Sequence, residues 1–300
     1  MSGLQDYDHG MVLRGLLVLG TFVLSLKAVS AQDYRAMEAR ILALSNVEIV
    51  IVGKVEKEEA VYPVYALTTA ASKKNEKKQL NVLLSGGVHG DEPAGVFALL
   101  QFLEKEAPRY AKEFRFFVFP CVNPGGFATG TAENSAGKNI NRSFKKDSPA
   151  LEAKWVMEQL QKWDRKFVFS IDMHEIPPYW EGEGFKAKDN PHTAYLYESQ
   201  RDKKMRIGPA MLAGLPKDIE VCQWPRIYGD VAVGGLVTYP EGNFNQVYAE
   251  QTTLDGYLFE KLSSHTFTAE TPIDWPMEKR VRTHLSWLKT ALEKKRGSAP

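Results

Sequence analysis

Cysteine is almost missing from this chain, with two in 300 residues. Cys121 and Cys222 cannot build a disulfide framework, and without a Cys-x-x-Cys they do not form a cysteine metal site. One bridge between them and two buried thiols both remain open. Charge excess is missing as well: 38 Lys and Arg face 37 Asp and Glu, a net charge of +1. That balance lacks the electrostatic footprint of a nucleic-acid partner, and none is expected. Long apolar runs are scarce. Gly15 to Leu26 is a twelve-residue stretch, too short to cross a bilayer comfortably as a helix.

That stretch follows Arg14 and is followed by Lys27 and Ala28-Val29-Ser30-Ala31, the pattern of a secretory signal peptide cut after Ala31. The acidic lead-in of Asp6 and Asp8 is unusual for such a signal, which points to Met11 as the start. A buried N-terminal helix or an uncut anchor is the other reading. The expected organisation is a signal peptide over 1–31, one catalytic domain over 32–296 and a frayed tail over 297–300. A secreted or periplasmic protein with no stable membrane span after cleavage is expected.

What is present reads as an ordinary globular chain, 44% hydrophobic and 25% charged. Apolar spacing predicts helices over Tyr34–Ser45, Pro93–Glu104, Ala150–Trp163, Tyr248–Leu262 and Met277–Lys295. Strands are predicted over Val47–Val55, Val61–Thr69, Leu80–Ser85, Phe114–Val122, Phe167–Met173 and Thr266–Ala269. The lysine-rich segment 72–78 reads as a hairpin tip, 123–141 as a long loop, and 176–247 as irregular chain with short helical or strand pieces. Strands alternating with helices, without repeats or a low-complexity linker, predict one α/β domain with a mixed, largely buried central sheet flanked by helices.

Three segments carry chemistry. Gly86-Gly87-Val88-His89-Gly90-Asp91-Glu92-Pro93 lies between a buried strand and a helix, where open α/β sheets collect ligands. His89 and Glu92 can reach one ion, although a His-x-x-Glu alone often arises by chance in a chain with six His. Asp172-Met173-His174-Glu175 ends another buried strand and offers His174 as a third ligand. Two His and one carboxylate leave a metal an open position, the mark of a catalytic zinc site. Finally, Asn123-Pro124-Gly125-Gly126 precedes Gly137-Lys138-Asn139-Ile140-Asn141-Arg142-Ser143-Phe144, whose Arg142 can grip a carboxylate with its planar fork.

Taken in order, these segments resemble the M14-type zinc carboxypeptidase family, including its aspartoacylase and succinylglutamate desuccinylase relatives. His-x-x-Glu after a strand, Asn-Pro, an Asn-Arg-x-Phe motif and a distant His all occur here in the family's order. Phe267-Thr268-Ala269-Glu270-Thr271-Pro272 is similar to the strand that bears the family's catalytic Glu, so the resemblance spans about residues 80–275.

The resemblance implies one zinc ion held by His89, Glu92 and His174, which would lower the pKa of a water to about 7. It implies Glu270 as the general base for that water, and Asn141 with Arg142 as the clamp on a substrate carboxylate. Glu241 is a rival for the base. Asp255, fifteen residues before Glu270, falls where members floor the specificity pocket and would suit an amine-bearing substrate. An exposed acid on a helix is its plainer reading. Two departures stand out: Ala132 replaces a loop Arg that stabilises the oxyanion, and Asn139 replaces the usual acid before Asn-Arg. Unlike the digestive members, the chain shows no pro-segment, which suggests a directly active bacterial form.

His192, His265 and His284 lack metal spacing, and core or surface roles are expected for them. Tyr179, Trp180, Trp224, Tyr228 and Tyr239 fall where the resemblance places a pocket wall and a hydrogen-bonding Tyr. The expected function is a metallocarboxypeptidase that cleaves the amide next to a free carboxylate, with a cell-wall peptide as a candidate substrate. The alternatives are an N-acyl amino acid deacylase and a carboxylate-peptide-binding pseudoenzyme.

Overall fold

The computed structural model describes residues 33–57, 59–71, 78–239 and 252–296. The expected signal peptide, most of the lysine-rich segment, Glu241, the start of the helix predicted from Tyr248, and the tail lie outside them. Among the described residues no helix is long and apolar enough to cross a membrane.

Among the described residues, ten strands form one mixed sheet. They are β1 (Val47–Lys57), β2 (Ala60–Thr69), β3 (Leu80–Gly86), β4 (Phe114–Phe119) and β5 (Phe169–Ile176). After them come β6 (Tyr195–Ser199), β7 (Arg226–Ile227), β8 (Asp230–Val233), β9 (Leu236–Tyr239) and β10 (Thr266–Pro272). Their order across the sheet is β1-β2-β4-β3-β5-β10-β6-β9-β8-β7. The centre, β4-β3-β5-β10, is parallel, and both flanks contain antiparallel pairs.

Helices cover both faces: α1 (Tyr34–Leu42), α2 (Pro93–Lys105), α3 (Ala107–Tyr110), α4 (Pro124–Thr129) and α5 (Leu151–Trp163). The chain adds α6 (Gly208–Ala213), α7 (Leu254–Lys261) and α8 (Met277–Lys295). Strand alternation divides the core between them. Phe116 and Val118 of β4 pack in the cluster that holds α2 and α8, while Phe117 and Phe119 enter the cluster that holds α5 and α7. Burial on both faces gives the continuous apolar run of a central strand.

Several expectations need correction. β4 sits between β2 and β3, so the link across 72–78 does not close a hairpin. The segment 123–141 contains α4 and enters a short 3-10 turn over Ile140–Arg142. The stretch 176–247 supplies four strands, β6 to β9, which its aromatic and glycine content obscures. β5 runs on to Ile176, so His174 lies inside a strand and not beyond its end. Cys121 and Cys222 are both free and buried. His265 and His284 are fully buried, as the core reading expected, and exposed His192 lies 3.4 Å from Asp274.

His284 on α8 lies 3.2 Å from the Thr271 hydroxyl. Burial, then the charges of His174 and Arg280, push its pKa from 6.5 down to about 3. The unfolded chain therefore binds a proton that the native chain refuses. Its contribution is present above pH 6.5 and is lost as the pH falls toward 3, by about 1.4 kcal/mol per pH unit. Urea denaturation at pH 7 and pH 5 should show a smaller acid loss of stability in His284→Gln than in the wild type.

Candidate metal centre and its cleft

The site begins with the contact between α2 and β5. A Cβ on Gly95 would lie 2.7 Å from both the Cβ and the carbonyl oxygen of Met173, so only glycine lets the first turn of α2 rest on β5. Glu175 strengthens the join, accepting the Ala94 N–H at 2.6 Å and the Arg280 guanidinium at 2.5 Å. Glu92, the residue before α2, is thereby brought against His174.

The three expected ligands meet. Glu92 places Oε1 2.7 Å from His89 Nδ1 and Oε2 2.7 Å from His174 Nδ1, and Oε2 also accepts the Glu175 N–H at 3.0 Å. One donor atom from each residue lies within 4.8 Å of the others. Both imidazoles turn Nδ1 to the common centre and Nε2 to an oxygen behind. Asp172 Oδ2 stands 2.8 Å from His174 Nε2, and Asn139 Oδ1 3.2 Å from His89 Nε2. Oxygens in those positions favour the tautomers whose Nδ1 lone pairs face inward, which a metal requires. The residues therefore fit a divalent metal ion.

Charge in the cluster is balanced by neighbours. Burial alone would raise Glu92, but His89 and His174 outweigh it and hold the carboxyl down at about 2. Burial would lower His174, and Asp172 with Glu92 overcome it and raise the imidazole well above its ordinary value. Glu175 is pushed up to about 7 by burial, opposed by Arg280.

Strand register delivers Glu270. On β10 it stands opposite His174 of β5 on one side and Tyr195 of β6 on the other. Paired residues share a face of the sheet, so Glu270 stands on the His174 face. It is pushed up to about 8 by burial, with the His174 charge opposing and Glu92, Asp172 and Glu175 adding to the rise. Glu270 and the three ligands line one cavity of about 1220 Å³.

Other expected residues meet mixed outcomes. Arg142 lines the cavity, ion-paired to Glu183 at 2.7 Å and donating to the Asn141 carbonyl at 2.9 Å. Asn141 also lines the cavity; its Oδ1 accepts the Leu254 N–H at 3.0 Å, and its Nδ2 lies 3.4 Å from His174 Nε2. Asp255 lines the cavity and is buried, which corrects its reading as an exposed helix acid. Tyr179, Trp180, Tyr228 and Tyr239 line the cavity, whereas Trp224 does not. At the expected loop Arg, the Ala132 carbonyl accepts from Gly90 N at 3.4 Å and Asn123 Nδ2 at 3.0 Å.

Asp172 had no role in the sequence reading, yet it orients His174 and itself accepts from the Ser85 hydroxyl at 2.7 Å. Its signal was available, since residues two apart in a strand share a face. Tyr195 and Tyr197 carried none, because their strand was read as irregular chain.

Residues 78–176 match the succinylglutamate desuccinylase/aspartoacylase catalytic domain. No curated protein matches the chain in sequence. Among solved structures, a candidate metallopeptidase from Shewanella denitrificans OS217 is 19% identical, covers 86% of this chain and 87% of its own, and has a TM-score of 0.66. A metallo-carboxypeptidase from Pseudomonas aeruginosa, in complex with (2-guanidinoethylmercapto)succinic acid, is 14% identical over 87% of this chain and 67% of its own, at 0.56. The product-bound cell shape determinant protein Csd4 of Helicobacter pylori is 16% identical over 78% of this chain and 55% of its own, at 0.52.

Elemental analysis of the purified chain should find one metal ion per molecule, and His174→Ala should retain almost none. Asp172→Asn should keep the ion with an affinity lowered about 10- to 100-fold, measured by chelator competition. Residues 78–176 are thus similar to the succinylglutamate desuccinylase/aspartoacylase catalytic domain, and the chain as a whole has a zinc carboxypeptidase-like fold.

Proposed function

We propose that this protein is an exported zinc metallocarboxypeptidase that cleaves the amide bond next to a free carboxylate of a peptide. The observation that carries the reading is the register of β5 and β10, which sets Glu270 beside His174 on the cavity face. A carboxylate not needed as a ligand thus stands next to a ligand set with room for a reacting group.

A zinc ion at the site would polarise the scissile carbonyl and lower the pKa of a water. Glu270 takes a proton from the attacking water on a carboxylate oxygen and returns it to the leaving nitrogen. Approach of a dication would favour the ionised form of Glu270, which the surrounding carboxylates disfavour. Arg142 grips the substrate carboxylate. Until then Glu183 occupies the guanidinium, and an ion pair of this partly exposed kind contributes only about 0–1 kcal/mol, so exchange costs little. Asn141, on the cavity lining beside it, joins the clamp and is itself held through its Oδ1 on the Leu254 N–H.

A cavity of about 1220 Å³ exceeds what a small acyl-amino acid fills, and this favours a peptide. The Pseudomonas aeruginosa ligand is a succinic acid, whose carboxylates are of the type assigned to Arg142. The Helicobacter pylori neighbour, by its name a determinant of cell shape, supports a cell-wall peptide, and the export segment at 1–31 would place the enzyme in the periplasm or outside the cell. Deacylation of an N-acyl amino acid is the second reading, favoured by the family match over 78–176.

Release of alanine from blocked dipeptides, set against deacetylation and desuccinylation of amino acids, separates the two readings. Faster turnover of the dipeptides is expected, and cleavage of the acylated amino acids alone would establish the second. Glu270→Gln should lower kcat by about 10²- to 10⁴-fold with zinc content unchanged. Arg142→Ala should raise KM about tenfold or more for dipeptides with a free carboxylate, and much less for the same dipeptides amidated.

A further inference from the structure

The cavity wall where the expected loop Arg is absent is acidic. Gly90 N donates to the Ala132 carbonyl at 3.4 Å, so the residues that follow each of them, Asp91 and Glu133, come to the same wall of the cavity. Asp91 is only 9% exposed, and its Oδ1 has no hydrogen-bond partner. Burial of a carboxylate oxygen without a partner is unfavourable. Glu133 is exposed, and its charge acts on the Asp91 carboxyl. Tyr179, whose phenol feels the charge of Asp91, stands beside them at 61% exposure and offers an aromatic face. Among the described residues, Arg142 is the one Arg or Lys on the cavity lining, and Glu183 holds it.

We propose that Asp91, Glu133 and Tyr179 form a subsite for an organic cation, a primary ammonium or guanidinium carried on the acyl side of the scissile bond. The side follows from charge: the substrate carboxylate goes to Arg142, and two further carboxylates would repel that end. The acid wall therefore runs along the other part of the substrate. The class follows from the lining, because an aromatic face beside two carboxylates attracts an organic cation, whereas an inorganic ion would seek further oxygen or nitrogen ligands. This subsite is separate from Asp255 and rests on the amide-hydrolase reading given above.

The test compares acetyl-Lys-Ala with acetyl-norleucine-Ala on the zinc-loaded enzyme. The wild type should favour the lysine peptide by about tenfold or more in kcat/KM, the worth of one charge-assisted contact. Asp91→Asn and Glu133→Gln should each cut that ratio at least about threefold, with zinc content and melting temperature as checks on folding. Glu133 is on the surface, so its variant decides the matter if Asp91→Asn does not fold. A wild-type ratio near one, or a ratio unchanged in the folded variants, overturns the subsite. If neither peptide is cleaved, the peptidase reading fails, and cadaverine, which needs no chemistry, decides the subsite by calorimetry. Saturable cadaverine binding that weakens about fivefold in the variants upholds it; absent or unaltered binding overturns it.

Discussion

One carboxylate organises this molecule. Glu92 meets an imidazole at each oxygen, His89 three residues before it and His174 more than eighty after it. Two negative groups, Asp172 and Glu92, flank the imidazole of His174. Such a cluster survives burial only if its charges are paired. The fold answers by seating Glu92 at the start of α2 and His174 and Asp172 within β5, with His89 on the short loop between β3 and α2. Glycine at 95 lets the two touch.

Metal binding competes here with protons. A ligand imidazole must be neutral, yet Asp172 and Glu92 raise the affinity of His174 for a proton. The same groups favour a dication for the same electrostatic reason. Basic groups that hold a proton strongly also bind metal strongly, so metal loading is tied to pH in this site. Asn139 behind His89 is uncharged where Asp172 behind His174 is not, so the two imidazoles differ as donors.

The central strands were legible from local rules, and the ligand set from the order of its motifs along the chain. An apolar strand followed by His-x-x-Glu reads directly, and helix α8 shows its period over Met277–Lys295 without interruption. Residues 195–239 were opaque because Tyr195 and Tyr197 turn aromatic rings into the cavity from strand positions, so the usual apolar alternation is missing. Asp255 was misjudged by composition, since acids are usually exposed, and only tertiary packing shows it buried in the first turn of α7. Register was invisible too. Nothing local says that Glu270 faces His174, because that pairing depends on a crossover between distant strands.

The loop before Arg142 shows how such a site can rest on irregular chain and remain ordered. Asn123 caps α4, accepting from Gly126 N at 2.9 Å, and ties the Ala132 carbonyl to it. Asn134 accepts from the Ala136 and Lys138 amides and donates to Glu152 of α5 at 2.7 Å. Asn141 then accepts from Leu254 N at the start of α7, next to Asp255. Three asparagines thus fasten the loop to three helices, through bonds that ordinary solvated loops lack. The consequence is geometric. Arg142 and Asp255 are linked by one hydrogen bond between their neighbours, so a substrate seated on the cation as proposed would find the buried acid at a fixed offset. Under the function proposed above, selection at this end of the cleft would be a matter of length and charge order along the ligand, set by the Asn141 side chain on the Leu254 N–H and not by either charged side chain alone.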